Sequence, residues 1–261
     1  MSHHPRKRFG QNFLHDQSII DRIIATIQPQ KDELLVEIGP GQAALTRPLL
    51  DSGCELHVIE IDRDLAAKLQ KRLGRFENFN LHCADALRTD FEQLTGSRPC
   101  RVIGNLPYNI STPLMFHLFQ WPLVITEMTF MLQKEVVDRM AAAAGENNYG
   151  RLSVMAQFHA QISKLMDVPS SAFSPPPKVE SSIVRLKTHE KPPVDLDDMG
   201  SLEMVVRQAF SMRRKTLRNA LKPILNSVQI EAAAVDPAAR AETLDLASFA
   251  RLANTLVSIG K

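Results

Sequence analysis

The sequence predicts an α/β fold, namely a Rossmann-like, largely parallel sheet followed by a small C-terminal helical domain. Five short apolar runs alternate with helix-forming segments up to residue 133. Such alternation is typical of a parallel sheet with helices on both faces. Beyond a polar, proline-bearing stretch at residues 188–198, almost every segment has helical character, which indicates a linker and a second domain.

The predicted elements follow one another in a regular order. A first helix is predicted in DQSIIDRIIATI, where the apolar residues form one stripe and Asp16 can cap the N-terminus. The predicted strands are LLVEIGPG, LHVIEID, NLHCAD, RVIGN and VITEMTFML, with helices in RDLAAKLQKRL and TPLMFHLF. FHAQISKLMDVP and ESSIVRLK are predicted to be later strands that extend the sheet in an antiparallel sense.

These boundaries predict two domains, residues 1–190 and 197–261. No apolar run approaches the ~20 residues that span a bilayer, and the N-terminus lacks the apolar stretch of a secretory signal. We therefore expect a cytoplasmic protein without a membrane partner, and a monomer, since no dimer seam is apparent. Cys54, Cys83 and Cys100 are widely spaced and form no CxxC pair, which favours reduced thiols and argues against a metal site.

Basic residues are clustered although the formal net charge is only +2. One cluster lies at the N-terminus and another in SMRRKTLRNALK; together they comprise Arg6, Lys7, Arg8, Arg213, Arg214, Lys215 and Arg218. Clustered positive charge in a near-neutral chain suggests a phosphate-bearing partner. A solvated helix face without a ligand is the alternative.

Glycines and acids stand at the ends of three successive predicted strands. Gly39 and Gly41 follow the first strand, where the backbone can approach a ligand at the carboxyl edge of the sheet. Glu60 ends the second strand and can accept both ribose hydroxyl hydrogens, while Asp85 ends the third and can accept from an adenine amino group. This pattern predicts an adenosine-containing cofactor. The glycine turn also fits GxGxxA, so a nicotinamide dinucleotide remains open at this point.

The end of the fourth strand distinguishes the two cofactor classes. Asn105-Leu106-Pro107-Tyr108 resembles the [DNS]-P-P-[YFW] motif of S-adenosylmethionine methyltransferases that act on amino groups. An exocyclic adenine amine is a poor nucleophile, whereas a sulfonium is an activated methyl donor, so such an enzyme needs orientation and hydrogen-bond acceptors. The Asn105 side-chain oxygen and a carbonyl of the turn can accept the amine hydrogens, and Pro107 stiffens the turn.

An aromatic platform for the target base is predicted beside this turn. Tyr108 can stack on a base that has left its helix. Phe173, in SAFSPPPKVESS, is predicted to supply the second face, and Lys178 in the same loop can meet a phosphate. The alternative is that Phe173 only anchors the loop in the core.

Eight segments together resemble bacterial small-subunit (16S) ribosomal RNA adenine N6-dimethyltransferases over nearly the whole chain. They are RKRFGQNFL, EIGPG, VIEID, GNLPYNISTP, MLQKEV, YGRLSV, FSPPPKVESS and RRKTLRN. The resemblance implies S-adenosyl-L-methionine as cofactor and a set of pocket residues: Asn12 and Leu14 on the methionine side, Gly39 at the cofactor backbone, Glu60 at the ribose, Asp85 at the adenine amine and Asn105 at the reacting centre.

The resemblance also implies a substrate. It is a hairpin loop near the 3′ end of small-subunit rRNA, in which two adjacent adenosines each receive two methyl groups within the assembling subunit. A link to late ribosome maturation and to kasugamycin sensitivity is implied as well. Met212 and Ala220 replace a glutamine and a serine that many relatives carry, which bears on RNA contacts at most.

Three other functions are weighed against this one. A related enzyme dimethylates a single large-subunit adenosine and shares the cofactor and the Asn-Leu-Pro-Tyr turn, but YGRLSV and RRKTLRN favour the small-subunit enzyme. A ribosome-assembly factor acting mainly by binding does not require the complete set of pocket residues. A nicotinamide dehydrogenase is the weakest alternative, because no proton-transfer group accompanies a hydride site.

Overall fold

The computed structural model describes residues 12–212 and 214–260, which form two compact units. The first unit comprises residues 12–137 and 163–188, and the second comprises residues 138–162 and 189–260. The division predicted from the sequence assigns residues 138–162 to the first domain. Here they belong to the second unit, in which the helix at Arg151–His159 contacts C-terminal helices.

The described residues contain nine strands and eleven α-helices. The strands are β1 (Phe13–Leu14), β2 (Leu34–Ile38), β3 (Glu55–Ile59), β4 (Phe79–His82), β5 (Cys100–Asn105), β6 (Ile125–Gln133), β7 (Ala160–Val168), β8 (Phe173–Ser174) and β9 (Ser181–Thr188). The helices are α1 (Gln17–Ile27), α2 (Thr46–Asp51), α3 (Arg63–Leu73), α4 (Phe91–Thr95), α5 (Ser111–Leu118), α6 (Lys134–Ala141), α7 (Arg151–His159), α8 (Met199–Ser211), α9 (Leu217–Ala220), α10 (Ser227–Ala232) and α11 (Leu246–Ile259).

Seven of the strands form one sheet in the order β4-β3-β2-β5-β6-β9-β7. The pairs β2–β3, β2–β5, β3–β4 and β5–β6 are parallel, and β9 runs antiparallel to β6. The predicted parallel sheet with an antiparallel extension is therefore confirmed. The chain passes outward through β3 and β4 and then returns to the other side of β2, so the strand order reverses between β2 and β5. A reversal of this kind opens a crevice at the carboxyl ends of the strands.

Helix α1 confirms the predicted amphipathic stripe. Ile19, Ile20, Ile23 and Ile27 are buried in a cluster that includes β2 and β3 residues. Burying each isoleucine contributes about 1.5–3 kcal/mol relative to leaving it exposed. The Asp16 carboxylate accepts from the backbone N–H groups of the first turn, as the sequence predicts.

The structure also contains elements that the sequence analysis does not anticipate. Strands β1 and β8 form a separate two-stranded ribbon in which Leu14 pairs with Phe173. Helices α6 and α7 occupy residues for which only motifs were recognised. Two-residue strands are too short to show a periodic pattern, so the ribbon depends on tertiary contacts.

Two further features concern the cysteines and the membrane. The thiols of Cys54 and Cys100 are buried, that of Cys83 is exposed, and all three are free. Among residues 12–212 and 214–260, no helix combines the length and apolar character needed to cross a membrane.

Gly104 allows β5 to approach β2 closely. A Cβ atom at this position would lie 2.6 Å from the carbonyl oxygen of Ile38 and 3.0 Å from a methyl carbon of Leu106. A side chain therefore requires the two strand ends to separate, and these ends carry the glycine turn and the Asn-Leu-Pro-Tyr turn.

The burial of Glu37 is a second constraint at the same place. This acid lies in β2, is 2% exposed, and its Oε2 has no hydrogen-bond partner among the described residues. Burial raises the pKa of Glu37 to about 7, and the nearby negative charge of Glu60 adds to the rise, while Thr46 acts in the opposite direction. The folded protein therefore holds a proton at pH values where the unfolded chain has released it.

We expect Gly104→Ala to destabilise the protein by about 1–3 kcal/mol, because the added methyl group overpacks the contact with Ile38. Urea unfolding followed by circular dichroism measures this loss. Gly260→Ala is the matched control, since its φ of −89° suits alanine and a Cβ atom there makes only ordinary contacts, at 3.6 and 3.9 Å. Equal midpoints for the two variants would contradict the steric argument.

We expect the unfolding free energy to fall between pH 4.5 and about pH 7 because Glu37 must ionise in a buried site. The pKa of Glu37 is about 7 in the folded protein and 4.5 in the unfolded chain. The stability is therefore retained below pH 4.5 and is lost as the pH rises from there through about 7. Relative to Glu37→Gln, the wild type should lose about 3 kcal/mol over this range. Urea unfolding at a series of pH values tests this.

The exposed acid Glu77 provides the control. Glu77→Gln should follow the wild-type pH curve, and parallel curves for the wild type and Glu37→Gln would show that Glu37 does not cause the loss.

Candidate active site

The carboxyl ends of β2, β3, β4 and β5 border one cleft in the first unit. About 1060 Å³ of space lies between its walls, part of it open solvent. The predicted residues that line it are Asn12, Leu14, Gly39, Gly41, Glu60, Asp85, Asn105, Leu106, Pro107 and Tyr108. Residues far apart in the sequence are thus brought together as the strand-end argument predicted.

The glycine turn forms one wall of the cleft. Gly39 and Gly41 have φ values of +67° and +55°, which side-chain-bearing residues rarely adopt. The Gly39 N–H donates to the carbonyl of Ile59 over 2.9 Å and so ties the turn to β3. A Cβ atom at Gly41 would lie 3.1 Å from the ring of Phe13. Both glycines therefore have a conformational reason to be present, and Gly41 also has a steric one.

Glu60 supplies a buried carboxylate directly after β3. It is 4% exposed, and its Oε1 accepts from the Asp62 N–H over 2.8 Å. Burial raises the pKa of Glu60, and backbone N–H donors, including that of Gly41, partly offset this rise. A carboxylate in this position can accept hydrogen bonds from ligand hydroxyl groups.

Asp85 supplies a second carboxylate on the neighbouring wall. Its Oδ1 accepts from the Leu87 N–H over 3.0 Å and caps the short 3-10 helix Ala86–Arg88. Its Oδ2 lies 3.9 Å from the largely exposed Nε of Arg88. The cap holds the carboxyl group in place, and Oδ2 can still accept a hydrogen bond from a ligand.

The Asn105 amide is oriented by the backbone of Asn12. Its Nδ2 donates to the Asn12 carbonyl over 3.2 Å, which leaves Oδ1 as the acceptor on the other side of the amide. None of the residues that the structure describes donates to this Oδ1. The segment around Asn12 therefore prepares Asn105 to accept a hydrogen bond within the cleft.

The carbonyl groups of the following turn differ in their availability. The carbonyl of Pro107 accepts from the Ile110 N–H over 3.1 Å, and that of Tyr108 accepts from the Ser111 hydroxyl over 3.1 Å. The Leu106 carbonyl accepts from no residue within the described ranges. The turn thus presents one open carbonyl acceptor close to the Asn105 side chain in the sequence.

Tyr108 lies at the edge of the cleft and is held at its hydroxyl end. The Tyr108 Oη is 2.7 Å from the Ser181 Oγ. Burial raises the pKa of Tyr108, although the hydrogen bond to Ser181 acts in the opposite direction. The phenol is therefore neutral and its ring is fixed at both ends.

Phe173 lies elsewhere. It is 2% exposed, pairs with Leu14 in the β1–β8 ribbon, belongs to the hydrophobic core, and is absent from the residues that line the cleft. This is the environment of the loop anchor that the sequence analysis weighed as the alternative. Stacking of Phe173 on a base stays a prediction and requires its side chain to move.

The basic residues are only partly described. Arg6, Lys7, Arg8 and Arg213 lie outside the described residues. The others, Lys178 in the first unit and Arg214, Lys215 and Arg218 in the second, are exposed. Thr216 pairs with Arg240, and the Leu217 N–H donates to the Ala239 carbonyl over 2.8 Å, so the segment is anchored by its backbone. Its cations are consequently available for a ligand.

The cleft also contains residues to which the sequence assigned no role. Glu37, Phe13 and Ile61 line it, and the Ile61 side chain is 49% exposed although it is large and apolar. The signals were present: an acid within an otherwise apolar strand, and an isoleucine directly after Glu60. No group of three or more His, Cys, Asp or Glu side chains suited to a metal occurs in the part of the chain that the structure describes.

Comparison with known proteins gives consistent matches over nearly the whole chain. A family model described as ribosomal RNA adenine dimethylase matches residues 2–258. The ribosomal RNA small subunit methyltransferase A of Pseudomonas aeruginosa is 55% identical over 258 residues, covering 98% of this chain and 96% of that protein. The protein of the same name from Hahella chejuensis is 52% identical over 255 residues, covering 97% of this chain and 93% of that protein.

Solved structures agree with these matches. A dimethyladenosine transferase from Plasmodium falciparum has a TM-score of 0.83 at 26% identity, covering 95% of this chain and 98% of that one. The 23S rRNA methyltransferase ErmE has a TM-score of 0.75 at 27% identity, covering 94% and 100%. The predicted Rossmann-like methyltransferase fold is confirmed, and this chain belongs to the ribosomal RNA adenine dimethylase family.

Proposed function

We propose that this protein uses S-adenosyl-L-methionine to dimethylate N6 of two adjacent adenosines in the hairpin loop near the 3′ end of small-subunit rRNA. The observation that carries the proposal is the pair of open acceptors, Asn105 Oδ1 and the Leu106 carbonyl, at the edge of a cleft that suits an adenosine cofactor. The cofactor supplies an activated methyl group on a sulfonium centre.

The charges of the cleft support this cofactor over a dinucleotide. Glu60 and Asp85 line the cleft with two carboxyl groups, whereas burial keeps the neighbouring Glu37 protonated up to about pH 7. Acidic surroundings favour a positively charged ligand such as a sulfonium with its ammonium group, and they disfavour the two phosphates of a nicotinamide dinucleotide. Glu60 would hold the ribose hydroxyls and Asp85 the adenine amino group. Gly39 would lie at the cofactor backbone, and Asn12 and Leu14 on the methionine side.

The two acceptors suit the chemistry of an adenine amine. The Asn105 Oδ1 and the Leu106 carbonyl would each take one hydrogen of N6, which favours a tetrahedral nitrogen whose lone pair is directed at the methyl donor. Holding the reacting atoms in this geometry is the main contribution that a site of this kind makes. The first transfer breaks the bond between the methyl group and sulfur, and the methylated N6 then releases one proton to solvent. N6 now carries one hydrogen, and one acceptor is enough to orient it.

The relatives favour small-subunit RNA over the alternatives. The proteins that are 52% and 55% identical are named small subunit methyltransferases, whereas the 23S rRNA methyltransferase ErmE is 27% identical. The complete set of cleft residues also argues against a factor that acts only by binding. We expect the protein to work as a monomer in the cytoplasm, on rRNA within the assembling small subunit.

The decisive experiment offers labelled S-adenosylmethionine with immature small subunits and, separately, with large-subunit RNA. Dimethylation of two adjacent adenosines in the small-subunit hairpin is the expected result. A single modified adenosine in large-subunit RNA would instead establish the alternative activity.

We expect Asn105→Ala to lower single-turnover methyl transfer by about 100-fold or more, as loss of one preorganised hydrogen-bonding group in an active site typically does. Cofactor binding, measured by calorimetry, should be retained because Glu60 and Asp85 are unchanged. Wild-type turnover in this variant would remove Asn105 from the reacting centre.

We expect the double variant Arg214→Gln, Lys215→Gln to bind rRNA more weakly. The slope of the logarithm of the binding constant against the logarithm of the salt concentration should become shallower by about one to two, because fewer counterions are released. The control is Lys68→Gln, Lys71→Gln, which removes the same charge from exposed positions of α3. Equal salt slopes for the two double variants would remove the Arg214 segment from the interface.

A further inference from the structure

The hydroxyl of Tyr108 is bound by a serine from a distant part of the chain. Ser181 is the first residue of β9 and is fully buried, with its Oγ 2.7 Å from the Tyr108 Oη. The register of β6 explains why the two side chains are close. Gln133 of β6 pairs with Ser181 of β9, and Met131 of β6 pairs with Asn105 of β5 on the other side. The start of β9 therefore lies at the same sheet edge as the end of β5.

The hydrogen bond to Ser181 restrains the phenol end of Tyr108, which the turn itself leaves unrestrained. At the backbone, the carbonyl of Tyr108 accepts from the Ser111 hydroxyl, and Pro107 limits the chain before it. A tyrosine side chain still has two rotatable bonds. Fixing the phenol oxygen to a buried hydroxyl restrains the first of these bonds, and with it the direction in which the ring extends from the backbone. The oxygen lies on the axis of the second bond, so the hydrogen bond sets the position of the ring and not its rotation about that axis.

The burial of Ser181 makes the bond hard to replace. Ser181 has no measurable exposure, so water has little access to the serine side of the bond. When one partner of a buried hydrogen bond is removed, the other is left unsatisfied and tends to move. Loss of the serine hydroxyl should therefore release the ring, rather than leave it in place with a water molecule as substitute.

We propose that Ser181 is a positioning residue for methyl transfer, which acts by holding the Tyr108 ring at the place where the target base stacks. This inference rests on the proposed function and on the prediction from the sequence that Tyr108 stacks on the target base. A ring held in advance loses less entropy when the base stacks on it, and the amine then reaches Asn105 in the reactive orientation. Ser181 touches neither the base nor the cofactor in this role.

The experiment is a double-mutant cycle with Ser181→Ala, Tyr108→Phe and the combined variant. The measured quantities are the single-turnover rate constant for rRNA methylation, the affinity for S-adenosylmethionine and the unfolding midpoint. Each single variant should lower the rate constant about 10-fold, the combined variant no further, and the cofactor affinity should not change. Non-additivity in the rate is a readout that a general loss of stability does not produce.

Ser182→Ala is the matched control. Ser182 is also fully buried at the start of β9, but its hydroxyl donates to Asp167 over 2.5 Å. The control should retain the wild-type rate constant. If Ser181→Ala does not fold, Tyr108→Phe still tests the bond, because it keeps the ring and removes only the hydroxyl.

The outcomes separate the inference from the proposed function. Suppose that the wild-type protein methylates the small-subunit hairpin. If the losses of the two single variants are then additive, or if Tyr108→Phe keeps the wild-type rate constant, the role of Ser181 is overturned and the proposed function stands. An equal loss in Ser182→Ala does the same. Wild-type protein that methylates no rRNA adenosine overturns the proposed function itself.

Discussion

The close pairing of β2 with β5 is the contact on which the site depends. The chain reverses its direction of travel across the sheet at this pair, so the glycine turn after β2 and the Asn-Leu-Pro-Tyr turn after β5 face one cleft. Gly104 permits the approach, since any Cβ atom there would lie 2.6 Å from the Ile38 carbonyl. A small separation of the two strands would move the glycine turn away from Asn105 and Leu106, which the proposed reaction needs in one place.

The polar groups of the cleft are arranged at some cost to stability. Glu37 and Glu60 are both buried, and burial raises the pKa of each because a charged carboxylate is poorly solvated there. The Asn105 Oδ1 and the Leu106 carbonyl lack donors among residues 12–212 and 214–260. A ligand that is cationic and rich in hydrogen-bond donors compensates for these groups, and this is the physical link between the fold and the proposed cofactor and substrate.

Local patterns in the sequence were sufficient for the elements that are long or regular. The α1 stripe, the five parallel strands and the cleft residues at strand ends followed from periodicity and from residue type. The β1–β8 ribbon and the position of Phe173 did not, because two-residue strands have no period. An aromatic side chain in a loop has the same sequence signature whether it is exposed to a substrate or buried against Leu14.

The sequence by itself determined the fold class, the family and the chemical groups at the strand ends, because each depends on residue types at short spacings. Only the tertiary structure decided which of those groups are left to bind a ligand and which are used in hydrogen bonds within the protein. It placed Asn12 against the Asn105 amide, used the Pro107 and Tyr108 carbonyls within the turn, and brought Ser181 to the Tyr108 hydroxyl. The physical reason is that a hydrogen bond between residues some 70 to 90 positions apart depends on strand register, and register is set by packing of the whole sheet.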